Sequence, residues 1–176
     1  MDYDERKFAE LLLYAAGRLA PDPAGGAIKL NKILFFAEFA HMRRHGRPIT
    51  GAVFQKLRWG PAPRRLVPVR RALLEEGGAT LVEETYEGQV QQRLVPLRES
   101  DTSMFTADEL ACVDHAVGEL FGTSGTEASL LSHDEVGWQM VDEKESIPYE
   151  AAFLRHPVVT ESVRQHAARL VQARQA

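Results

Sequence analysis

Six histidines, one cysteine and a scatter of serines are the residues of this chain with the chemistry to hold a metal or to carry a nucleophilic reaction. His41 and His45, in His41-Met42-Arg43-Arg44-His45, stand at the i, i+4 spacing that lets two imidazoles on one helix face share an ion. No Glu or Cys accompanies them and the intervening arginines repel a cation, so the pair reads as a solvated helix face. His133-Asp134-Glu135 has the composition of an acid–base cluster. The same run, begun at Ser132, is also a capping box, in which a hydroxyl and a carboxylate satisfy the first N–H groups of a helix. On that reading His133 packs beside Trp138. Ser124 and Ser129 lack a G-x-S-x-G frame, and Cys112 falls in a helical pattern where a small hydrophobe serves equally well. Gly25-Gly26 is followed by Ala27-Ile28-Lys29, without the frame or the Lys-Ser/Thr pair that cradles nucleotide phosphates. These residues supply no catalytic, metal or cofactor constellation, and the expectation is a protein that is not an enzyme.

The elements that position them follow from periodicity. Asp4 and Glu5 precede Phe8, Leu11, Leu12, Ala15 and Leu19, the start of an amphipathic helix that stops at Pro21-Asp22-Pro23. A second helix is expected from about Ala27 to His45, with Leu30, Ile33, Leu34, Ala37 and Met42 inward, Phe35, Phe36 and Phe39 widening that face, and Gly46 as C-terminal cap. So apolar a helix belongs at the centre of the core. Residues 50–59 fit a short helix or a strand equally well. After Gly60-Pro61-Ala62-Pro63, Leu66, Val69, Leu73 and Leu74 mark a third helix that Pro68 should kink or delay, and two β-prone runs flank Glu87-Gly88 as a hairpin. Thr106-Ala107-Asp108-Glu109 is a second capping box, opening a helix that Gly122 ends. A short helix is expected from Thr126, one from Pro148 through Phe153, and a last one capped by Thr160 along Val163, Leu170 and Val171. The fold class is mainly α, one compact domain over residues 1–176 with a small hairpin.

Charge divides the chain. Of a formal net charge of −4, the segment from Lys29 to Arg71 holds eleven Lys/Arg against one acid, Glu38, so a basic half (residues 1–98) precedes an acidic helical half (residues 104–176). Such a field steers an oppositely charged partner. Three helices and then a hairpin is the order of a winged helix, with Arg64, Arg65, Arg70 and Arg71 on or near the third helix, which makes a DNA-binding regulator one alternative. Glu83, Glu84 and Glu87 on the hairpin oppose it, because a wing that repels phosphate is a poor DNA contact. Pairing of the arginines with the acidic half is another alternative. With one cysteine, a charged start and no apolar run near the ~20 residues of a membrane span, the expectation is a cytoplasmic protein with no membrane partner.

Several ordered elements together carry a resemblance. Lys29-Leu30-Asn31-Lys32-Ile33-Leu34-Phe35-Phe36-Ala37, Gly46-Arg47-Pro48-Ile49, Arg58-Trp59-Gly60-Pro61, Ser132-His133-Asp134-Glu135-Val136-Gly137-Trp138 and Ile147-Pro148-Tyr149-Glu150 resemble, in order, the motifs of the Panacea domain, the antitoxin family that includes SocA. The likeness covers roughly residues 8–155, with Phe35-Phe36 where the family favours tyrosines and Ala62 where it favours a β-branched residue. Lys29, Lys32, Phe36, Gly60, Pro61, His133 and Trp138 are the motif residues. The resemblance implies a non-enzymatic protein that neutralises a co-encoded toxin by binding it, in some relatives as an adaptor delivering the toxin to an ATP-dependent protease. A basic face at Arg43, Arg44, Arg47 and Arg58, with Trp59 as aromatic anchor, is the expected contact surface. For Trp59 the alternative is a buried Trp-Gly-Pro corner.

Overall fold

The structure, a computed structural model, describes residues 2–155; the last expected helix, capped by Thr160, lies outside the described residues. Helix α1 (Glu5–Leu19) starts at Asp4, whose carboxylate accepts the Lys7 N–H at 2.9 Å. Helix α2 (Ala27–His45) ends at Gly46, whose φ of 70° is the left-handed conformation that closes a helix. Residues 50–59 resolve as extended chain, not helix: β1 (Phe54–Gln55) pairs antiparallel with β2 (Ala62–Pro63). Helix α3 (Leu66–Glu75) takes Pro68 in its first turn, where no helical N–H is required, so the proline neither kinks it nor delays it further.

Strands β3 (Ala79–Tyr86) and β4 (Gln89–Pro96) form the hairpin, and Glu87 and Gly88, at φ 49° and 76°, make the two-residue turn whose twist suits it. A 3-10 turn at Thr102–Met104 leads to α4 (Ala107–Leu120), which carries the expected Thr106–Glu109 box. Helix α5 (Gly125–His133) starts one residue before Thr126 because Ser124 and Glu127 form a box of their own. The Ser132–Glu135 box does not exist. Ser132 lies inside α5 donating to the Ser129 carbonyl at 2.7 Å, and Glu135 precedes the short α6 (Val136–Gln139) with its carboxylate turned to Arg43. Pro148 caps a 3-10 turn, Tyr149–Phe153.

Helix α2 is the axle of the molecule, covered by α1, α4, α5 and the Tyr149–Phe153 turn. Phe35, at its middle, packs edge-on against Phe54 at 5.5 Å and lies 4.3 Å from Phe39, which stacks on Tyr149 at 4.9 Å. Ion pairs Lys7–Glu109 (2.8 Å) and Arg18–Asp114 (2.7 Å) join α1 to α4 across the two halves. The order α1, α2, α3, hairpin is present. The tight turn of a helix-turn-helix is not, because residues 46–65, with β1 and β2, separate α2 from α3, and α3 packs on α1 and β3.

Candidate partner-binding site

Lys29, Lys32, Phe36, Phe39 and Arg43 recur at three- and four-residue steps, so they share one stripe of α2. At its start Lys29 donates to Asp22 at 2.6 Å, both side chains fully buried. Burial pushes the Asp22 carboxyl up, but Lys29 and the N–H groups of Ala24 and Gly122 outweigh it and hold the group below its ordinary value. At the far end Arg43 Nε donates to the Ala152 carbonyl at 2.7 Å and its guanidinium lies 3.7 Å from Glu135.

Lys32, between them, is 2% exposed and has no carboxylate partner among the described residues. Its ammonium donates to the Pro61 carbonyl at 3.3 Å, and burial pulls its pKa down to about 8. Gly60 lies on top of it at φ 93°, so close that a Cβ there would come within 2.8 Å of Lys32 Nζ and against Ser132 Oγ. Ser129 Oγ donates to the Trp59 carbonyl at 3.0 Å, fastening the turn to α5. His133, next along, stacks on Trp138 at 4.0 Å with planes 15° apart, and the Lys56 ammonium stands 4.2 Å from the same indole. Burial and the Lys32 charge hold the His133 pKa below its ordinary value, against Asp134, so the ring is neutral near pH 7.

The segment 58–61 therefore has two sides. Gly60 and Pro61 seal the lysine, while Trp59 is 58% exposed with the Arg58 guanidinium 5.2 Å from its ring. The expectation of a buried Trp-Gly-Pro corner holds for the glycine and the proline only. A sequence model of the antitoxin SocA-like family, Panacea domain, matches residues 30–139. The chain belongs to that family. No curated protein and no solved structure matches it. The Panacea match takes in Lys32, Phe36, Gly60, Pro61, His133 and Trp138, and Lys29 stands just before it. Of these, Lys32, Gly60 and Pro61 meet directly, with Ser132 closing the contact; Phe36 is half-buried against Phe35 at 5.5 Å.

The five expected contact residues do not form one face. Arg43, Arg44 and Arg47 sit at the C-terminal end of α2, roughly 16 Å along the helix from Lys32, and Arg58 and Trp59 lie on the loop above that lysine. Arg43 is committed to the fold. His41 is buried, not solvated: its Nδ1 donates to the Arg47 carbonyl at 2.8 Å and its ring stacks on His45 at 4.5 Å. Among the described residues no group of three or more His, Cys, Asp or Glu converges to hold a metal. Cys112 is buried, which raises its thiol pKa. Among the described residues Arg43 of the basic segment pairs with Glu135 of the acidic half, while Arg65 pairs with Glu5 and Arg71 with Glu75. No helix among the described residues is long and apolar enough to cross a membrane.

Two acids that matter were not singled out from the sequence as functional or structural. Glu38, fully buried, accepts the Ile49 N–H at 2.7 Å, the Thr50 N–H at 3.1 Å and the Thr50 hydroxyl, stapling the Gly46–Ile49 motif to α2. Burial raises its pKa to about 7, against those hydrogen bonds. Its signal was its isolation as the lone acid in the basic segment. Asp22 lay between two prolines and read only as a breaker.

Proposed function

We propose that this chain neutralises a co-encoded toxin by binding it directly, in the cytoplasm, as a non-enzymatic antitoxin. Family membership supports an antitoxin role. The observation that carries the binding reading is how the motif is used: Lys29, Lys32, Gly60 and Pro61 are buried in packing, while Trp59 and Arg58, beside them, face solvent. A motif spent on holding a surface suits a binder, whose aromatic and arginine anchors work when rigidly mounted. Delivery of the captured toxin to an ATP-dependent protease is the extension of this reading, with the same complex as its first step.

The test is co-expression with the product of the adjacent reading frame, with and without this chain. Rescue of growth together with copurification is the expected result. Toxicity that persists while the two proteins fail to copurify overturns the reading for that pair. The regulator alternative rests on the α1-α2-α3-hairpin order and on Arg64, Arg70 and Arg71. A steep salt-dependent shift of upstream DNA by the protein alone would favour it.

A further inference from the structure

We propose that the lip formed by Arg58 and Trp59 is the docking site for the toxin, and that it receives an acidic side chain set beside an apolar one. The proposal rests on the antitoxin reading above and adds to it a place and a chemistry. Three features of the lip support it, each independent of the family match.

The lip is mounted rigidly. Ser129 holds the Trp59 carbonyl from α5, Gly60 is wedged between Ser132 and Lys32, and Pro61 is tied to Lys32 Nζ, so the indole has little backbone freedom to lose on binding. Its apolar area is also open: the Trp59 side chain is 58% exposed. An exposed aromatic on a fixed backbone is surface that a partner can cover with gain.

The charge there is also unbalanced. Lys32, Lys56 and Arg58 form no ion pair among the described residues, whereas Glu135 faces Arg43, Glu145 accepts the Asp142 N–H at 3.0 Å, and Asp134 acts on His133. Lys32 is sealed and the half-buried Lys56 donates to the Val141 carbonyl at 2.9 Å, so of the three Arg58 is the cation that a partner reaches directly. A carboxylate placed over the Arg58 guanidinium supplies the missing anion in the bidentate geometry arginine favours, and the neighbouring apolar group covers the indole. The α2 end carries positive charge and an exposed aromatic too, Phe153 at 54%, but there Arg43 is already spent on Glu135 and the Ala152 carbonyl.

The probe is the purified product of the adjacent reading frame, its affinity measured by calorimetry against this full chain. Trp59→Ala and Arg58→Glu each weaken binding roughly thirtyfold or more, the size of an interface anchor, while Arg71→Glu on α3, the same charge reversal, leaves affinity within about twofold. Circular dichroism melts report whether each variant folds; Trp59→Phe, which keeps the apolar ring, recovers most of the loss. If the wild-type chain binds the probe but Trp59→Ala and Arg58→Glu bind as well as wild type, the lip is not the docking site and the antitoxin reading stands. If the wild-type chain does not bind the probe at all, the antitoxin reading fails for that pair and this inference with it. Binding of a duplex from the upstream region, lost in both variants, would reassign the lip to nucleic acid.

Discussion

Gly60 lies directly against Lys32: a single added carbon on the glycine would come within 2.7 Å of the lysine Cε and 2.8 Å of its ammonium. This contact joins two separate segments of the family motif, 29–37 and 58–61, and explains why a glycine at φ 93° stands between an exposed tryptophan and a buried proline. Substituting alanine would impose both the left-handed backbone cost and a clash with Ser132 Oγ. Gly60→Ala is expected to lower stability by about 2–4 kcal/mol, read from a urea melt. A loss under about 0.5 kcal/mol would show that the 58–61 loop shifts freely, and with it the rigid mounting of Trp59.

Lys32 is a buried cation with no anion beside it among the described residues, and its pH dependence follows from that burial. Its pKa falls from 10.5 to about 8 on folding. Between those values the unfolded chain binds the proton and the folded chain has released it, so this group's contribution to stability rises with pH from about 8 to about 10.5 and is smallest below 8. Lys32→Met, close in volume and uncharged, is expected to remove that alkaline slope and to raise stability near pH 7 by about 2 kcal/mol. Melts of both proteins across pH 7–10.5 check it; an identical slope in the variant sinks the assignment.

Glu38 acts in the opposite direction. Folding raises its pKa from 4.5 to about 7 through burial. The folded chain therefore binds a proton that the unfolded chain has released between those values, and the contribution, full below about 4.5, is lost as pH rises through 7. Glu38→Gln, which keeps one carbonyl acceptor for Ile49 and Thr50, is expected to abolish this acid-side gain. Glu38→Ala should cost more, about 2–4 kcal/mol, because the N–H groups of Ile49 and Thr50 and the Thr50 hydroxyl lose their acceptor in a dry site.

Lys29 and Asp22 form a fully buried pair at 2.6 Å, and breaking either side strands a charge. Lys29→Ala and Asp22→Ala are each expected to lose about 3–5 kcal/mol, and the double change Lys29→Met with Asp22→Leu less than either. Denaturant midpoints for the three variants decide it.

Arg43 and Arg44 adjoin in sequence but differ in the fold. Arg43→Glu faces Glu135 and loses the Ala152 carbonyl, with an expected cost of about 1–2 kcal/mol. Arg44→Glu, whose exposed guanidinium makes a long contact with the Cys112 sulfur at 3.8 Å, should leave the melting temperature unchanged. Equal melting temperatures for the two variants would contradict these contacts.

The helices were legible because each carries its own signals: Asp4, Gly46 and the Thr106–Glu109 box act within a turn of where they stand, and the apolar period of α2 repeats along nineteen residues. The hairpin was equally local, set by Glu87-Gly88. Where two local readings competed, tertiary contacts chose. Glu135 satisfies the S-x-x-E spacing, yet α5 extends through Ser132 and the carboxylate turns to Arg43. His41 shares a helix face with the exposed His45, one turn on, yet α4 and the 46–50 segment cover α2 where it lies.

What the chain determined alone was the element order, the family motifs and the excess of positive charge between Lys29 and Arg71. Which of those charges are spent inside and which face solvent was decided only when α5 and the 58–61 loop closed over one stripe of α2, because burial and ion pairing depend on neighbours up to a hundred residues away, as Asp22 and Gly122 show.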